Sequence, residues 1–86
     1  MIGELMKKLK LSEYISSMGV LIDLSNNGYF KNYTNLNIPY NKLMLYYQKY
    51  LDKNKKYYFI CRNGVHSKMA SKLLNYLGYN TTYLEI

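Results

Sequence analysis

A single cysteine, Cys61, heads the segment Cys61-Arg62-Asn63-Gly64-Val65-His66-Ser67, which gathers the residue types that activate a thiol. Gly64 permits a tight loop. A helix starting near Ser67 would turn its unpaired N–H groups back toward the sulfur and favour an anion there. Arg62, His66 and Lys68 add positive charge, so the expected chemistry is that of a reactive thiolate, a nucleophile or anion carrier. A lone cysteine closing an apolar strand is also how a small buried hydrophobe reads. The joint presence of a glycine-bearing loop, flanking cations and a helix N-terminus weighs toward the nucleophile, because packing needs none of them.

This chemistry requires a strand that ends at Cys61 and a helix that begins just beyond it. Tyr57-Tyr58-Phe59-Ile60-Cys61 is aromatic and β-branched and is broken by Asn63-Gly64, as a strand entering a loop should be. After it, Ala70, Leu73, Leu74 and Leu77 recur at helical spacing, Ser67 suits the helix start, and Gly78 suits a left-handed stop. Upstream, Val20-Leu21-Ile22-Asp23-Leu24 reads as a buried strand entering the Ser25-Asn26-Asn27-Gly28 loop. The stretch from Tyr29 to Asn37 is polar and irregular, and Leu36-Asn37-Ile38 is at most a short strand. Behind Pro39, the residues Leu43, Met44, Tyr47, Tyr50 and Leu51 mark one face of a helix that ends near Asp52 to Lys55. Thr81-Thr82-Tyr83-Leu84 is a last strand. Residues 1–18 begin with Leu5, Met6 and Leu9 at helix-like spacing and predict a short helix running toward Gly19. Strands alternating with helices over short connections imply an α/β fold, a mostly parallel central sheet with helices on both faces. In such sheets the strand C-termini meet the helix N-termini at the binding edge, which is where Cys61 falls.

The chain has 86 residues, too few for a second core, so residues 1–86 are expected to form one domain. An apolar fraction of 49% fits a globular chain rather than a disordered one. With one cysteine there is no internal disulfide, and the interleaved Glu4, Lys7, Lys8 and Lys10 interrupt any secretory core, so a cytoplasmic location is expected. No stretch approaches the roughly 20 apolar residues of a membrane span, and no membrane role is expected. The net charge of +7 would attract polyanions if the charges shared a face, but no run reaches the about five or six like charges of a basic block. Abundant Lys, Asn, Tyr and Ile together are what an AT-rich coding bias produces, so nucleic acid is not the favoured partner. Packing is likewise favoured over base stacking for the 12 tyrosines. One cysteine and one histidine cannot close a zinc site, and no nucleotide fingerprint occurs, so neither metal nor cofactor is expected.

The order Leu21-Ile22-Asp23, Tyr29-Phe30, Asn37-Ile38-Pro39-Tyr40, Tyr57-Tyr58-Phe59-Ile60-Cys61 with its Gly64 loop, and Gly78-Tyr79 before a last strand resembles a single-domain rhodanese, over roughly residues 20–84. The resemblance implies a sulfurtransferase. Cys61 would take a sulfane sulfur from a donor such as thiosulfate or a persulfide and pass it to cyanide, a thiol or a protein acceptor. The loop from Arg62 to His66 would hold the persulfide through backbone N–H groups, and Arg62, matching a basic residue at the second loop position of some thiosulfate-using members, would bind the donor's sulfonate end. Cys-x5-Arg phosphatases need an arginine where this chain has Ser67, so phosphatase activity is not expected.

Several positions depart from the family pattern. His66 stands where many members carry arginine, which implies a weaker, pH-dependent hold on anions; a loop histidine without catalytic duty is the equal alternative. Asp23-Leu24-Ser25 lacks the arginine of the usual Asp-x-Arg, leaving Asp23 either as support for the site or as an Asx-type loop cap. The Gly-His-Ile segment expected between Phe30 and Asn37 is absent. The sequence stops at Ile86, where members commonly continue through a glycine pair, a tryptophan and a further helix, so a C-terminally truncated rhodanese-like domain is expected. Two readings follow: an open sulfurtransferase, and a weak or inactive module that binds protein or polyanions. Retention of Cys61 and Gly64 favours the first.

Overall fold

The computed structural model describes residues 7–86. Four strands, β1 (Lys8–Lys10), β2 (Val20–Asp23), β3 (Lys56–Ile60) and β4 (Asn80–Glu85), form one sheet in the order β1-β4-β3-β2, and every pairing is parallel. Helix α1 (Tyr40–Tyr50) joins β2 to β3, and α2 (Val65–Tyr76) joins β3 to β4. Because β2, β3 and β4 are successive neighbours, two right-handed crossovers in the same direction put both helices on one face. The connection from β1 to β2 runs back across the sheet, so the same handedness carries it over the opposite face.

Alternation along β3 divides the core in two. Tyr57, Phe59 and Cys61 join Ile22, Leu43, Ala70 and Leu74 on the α-helical face, whereas Tyr58 and Ile60 join Leu21, Phe30 and Leu84 on the other. A central parallel strand covered on both faces needs this near-continuous apolar run. Helical segments therefore lie on both faces, but unequally. The second face is covered by two 3-10 turns, Leu11–Glu13 and Ser16–Met18, together with the loop that carries Phe30.

The expected N-terminal helix is the clearest correction. Leu5 and Met6 lie outside the described residues, and from Lys8 the chain is an edge strand followed by the two turns. Leu9, Leu11, Tyr14 and Met18 pack on the second core, while the Glu13 carboxylate accepts the Lys10 N–H at 3.1 Å and closes the first turn. Leu9 and Leu11 are spaced two apart, and pairing with β4 outweighs a helical period carried by few residues. Gly19 closes only the 3-10 turn Ser16–Met18, not an α-helix. A Cβ there would lie 2.6 Å from the Lys56 carbonyl oxygen and 2.9 Å from the Tyr58 ring, so the glycine lets β2 approach β3.

The remaining segments lie close to expectation. Leu36 to Ile38 contributes a single bridge, Asp23 to Asn37. Gly78 takes φ +99 after α2. No helix among the described residues is long and apolar enough to cross a membrane.

Candidate active site

Cys61 leaves β3 at the C-terminal edge of the sheet, and the residue is 3% exposed beneath the start of α2. The loop turns at Gly64, whose φ of +79 is in the left-handed region; a Cβ there would meet nothing within 4 Å, so conformation rather than space demands glycine. The turn aims the helix at the thiol. The Ser67 N–H donates to Cys61 Sγ at 3.2 Å, and the thiol donates to Ser67 Oγ at 3.4 Å. The Ser67 hydroxyl in turn donates to the Gly64 carbonyl at 3.3 Å.

This geometry revises the part expected of Ser67. The helix opens at Val65 with Gly64 at its cap, and Ser67 is buried in the first turn against the sulfur rather than starting the helix. Asn63 folds over the same turn, its Oδ1 accepting the Val65 N–H at 3.0 Å and the Cys61 thiol at 3.8 Å. One loop N–H expected to face the sulfur is thus taken by a side chain. Those of Gly64 and His66 have no acceptor among the described residues.

A cavity of about 220 Å³ opens above Cys61, lined by Leu24, Ser25, Asn26 and Asn27 from the loop after β2 and by Arg62, Asn63 and His66. Two aromatic rings hold its basic side chains. The Arg62 guanidinium lies 4.4 Å from the centre of the Tyr29 ring, and the His66 ring stacks on Tyr40 at 4.3 Å with 7° between planes. Tyr29 comes from the β2–α1 connection and Tyr40 opens α1, so the chain that follows β2 shapes the mouth of the cavity above the Cys61 thiol.

Asp23 keeps apart from the thiol. Its carboxylate accepts the N–H groups of Ser25 and Phe30, each at 2.9 Å, and the Ser25 hydroxyl accepts the Tyr29 N–H at 2.9 Å. Of the two expected roles, this is the loop cap: Asp23 folds the segment that brings Asn26, Asn27 and Tyr29 to the cavity. Lys68 also lies away, lining a larger cavity of about 480 Å³ between α2 and the end of β4. The smaller cavity is the candidate site, since Cys61 lines it and not the larger one.

Ser25, Asn26, Asn27, Tyr29 and Tyr40 were not predicted as site residues. The Ser-Asn-Asn-Gly loop is recognisable as one that follows a strand, but its place beside Cys61 depends on β2 and β3 being neighbours. The assembled site can hold a small anion against a thiol. It offers helix N–H groups, a hydroxyl, three carboxamides and a guanidinium, arranged over one sulfur.

No protein-family model matches the chain, and no curated protein matches it. Solved structures do. A NAD-dependent persulfide reductase from A. fulgidus aligns with 96% of the chain at TM-score 0.78 and 22% identity; the chain spans 15% of that protein's length. A rhodanese-related protein from Thermoplasma volcanium aligns with 80% of the chain at TM-score 0.67 and 28% identity, with 71% of its own length covered. With the four-stranded parallel sheet and its two helices, these likenesses establish the architecture: the chain folds as a rhodanese-like domain. That fold supports a sulfurtransferase-type domain.

Proposed function

We propose that this domain is a sulfurtransferase whose carrier is Cys61. The supporting observation is the sulfur's position, at the N-terminus of α2 with the Ser67 N–H donating to it at 3.2 Å beneath a polar cavity. In the first half-reaction the Cys61 thiolate attacks the outer sulfur of thiosulfate. The donor's S–S bond breaks, sulfite leaves with the bonding pair, and Cys61 carries a persulfide. In the second half-reaction cyanide or a thiolate attacks the terminal sulfur, forming thiocyanate or a new persulfide and returning the Cys61 thiolate. Arg62 docks the sulfonate, and the loop from Asn63 to Ser67 holds the terminal sulfur anion. Rotation of the Asn63 carboxamide frees the Val65 N–H for that anion. A sulfane donor and a thiol or protein acceptor are the partners this chemistry needs, and a reducing compartment such as the cytoplasm keeps the carrier thiol free.

The intact mass of the protein after thiosulfate treatment tests this reading. A gain of one sulfur atom on the wild type, absent from Cys61→Ser and discharged by cyanide as thiocyanate, is expected. The near-complete burial of Cys61 and the Asn63 side chain across the turn favour a second reading, a weak or inactive binding module. Absence of the mass gain with thiosulfate, mercaptopyruvate and a persulfidated protein would overturn the sulfurtransferase reading in favour of that alternative.

A further inference from the structure

Helix α2 turns all of its larger apolar side chains but Leu74 outward. Val65, Met69, Leu73 and Tyr76 are 51%, 51%, 45% and 85% exposed, while the sheet receives Ser67, Ala70, Ser71 and Leu74. A surface helix ordinarily does the reverse. The inward serines have local reasons: Ser67 meets the Cys61 thiol, and the Ser71 carbonyl accepts the Thr81 hydroxyl at 2.9 Å. Nothing in that packing asks for valine, methionine, leucine and tyrosine on the outside. At its N-terminal end this stripe enters the cavity of about 480 Å³, whose walls include Arg62 and Gly64 of the cysteine loop, Lys68, Met69 and Tyr83. The charge is one-sided. Lys68 and Lys72 flank the stripe, α2 contains no acidic residue, and Glu85, which also lines the cavity, lies 3.7 Å from Lys8.

We propose that the outward face of α2 and the adjoining cavity form a docking surface for a partner protein that presents an amphipathic helix, its apolar stripe flanked by carboxylates. The apolar side chains supply the area, and the lysines, which no carboxylate of α2 opposes, select the sign of the flanks. Because the groove runs into the cysteine loop, the docked helix lies beside Arg62. A second copy of the chain fits poorly, since pairing this face with itself sets lysine against lysine in a molecule of net charge +7. The surface is independent of sulfur transfer, so binding can be read on Cys61→Ser protein.

The test uses three fluorescein-labelled probes: a helical peptide with a leucine stripe and glutamate flanks, the same peptide with lysine flanks, and polyglutamate. The glutamate-flanked helix is expected to bind at least about tenfold tighter than either of the others. Met69→Asp with Leu73→Asp should weaken it by about tenfold while the protein still unfolds cooperatively, both positions being half-exposed. Lys68→Glu with Lys72→Glu should reverse the preference toward lysine flanks. Equal affinity for all three probes, no binding, or indifference to the substitutions would overturn the proposal. So would a concentration-dependent dimer, seen by sedimentation, that Met69→Asp dissociates.

Discussion

At the scale of single residues, the proposed function rests on the sulfur and its contacts. Cys61→Ser should abolish transfer to cyanide while leaving the thermal midpoint nearly unchanged, because an isosteric hydroxyl keeps the place between β3 and α2. Substantial thiocyanate production by that variant would remove Cys61 from the chemistry. Arg62→Ala should raise the thiosulfate KM by about tenfold with a smaller effect on kcat, the pattern of a group that binds donor rather than one acting only in the transition state. An unchanged KM in steady-state assays would contradict that role. The thiol was legible in the sequence because the loop, the cations and the helix start are neighbours along the chain. Its polar surroundings were not, since Asn26, Asn27 and Tyr29 reach the cavity only through the loop that Asp23 folds.

At the scale of elements, two glycines constrain the fold for different reasons. Gly64→Ala forces an L side chain into the left-handed region and should cost about 1–2 kcal/mol, read in denaturant unfolding. Gly19→Ala meets the Lys56 carbonyl and the Tyr58 ring, neither of which can yield without moving β3, and should cost about 1–3 kcal/mol. If Gly19→Ala leaves the unfolding midpoint in place, the close approach of β2 and β3 is wrong. The segment before Gly19 was misread for a related reason. Leu9 and Leu11 are compatible with a helix until the sheet offers an edge, and the hydrogen bonds of β1 come from β4, more than 70 residues away in sequence. Tyr14, in the same segment, donates to the Gly19 carbonyl at 2.7 Å. Burial and the neighbouring Tyr58 raise its pKa above the ordinary 10.0, so the neutral phenol stabilises the fold. That contribution is complete below the ordinary value and is lost as pH rises through the raised one. Tyr14→Phe should flatten this alkaline loss of stability, and equal slopes for both proteins above pH 10.0 would refute it.

At the scale of the molecule the charge is dispersed. Lysines occur on α1, α2, β1, the turn before β3 and the start of β3 itself; Lys53 of the turn lies over Tyr79 and Lys56 of β3 over Tyr58, each 5.3 Å from the ring centre. Such a distribution gives a general positive field in place of one basic face. For the sulfurtransferase reading, kcat/KM with the thiosulfate dianion should fall as salt rises from about 10 mM to 1 M, over which screening shortens from about 30 Å to 3 Å. A donor without charge should show no such fall. Identical salt slopes for the two donors would mean that the field plays no part in capture.

The sequence by itself determined the local pieces: a buried strand ending in Cys61, a tight loop at Gly64, a helix closing at a left-handed Gly78, and alternation that calls for a parallel sheet. Each depends on interactions among residues a few positions apart, so periodicity and turn chemistry reveal it. Only the tertiary structure decided that both α-helices share one face, that β1 takes the far edge, that Ser67 bonds the sulfur and that Tyr29 and Tyr40 hold Arg62 and His66. Those outcomes rest on strand order and the handedness of the crossovers, and such contacts between distant segments leave no period or spacing along the chain.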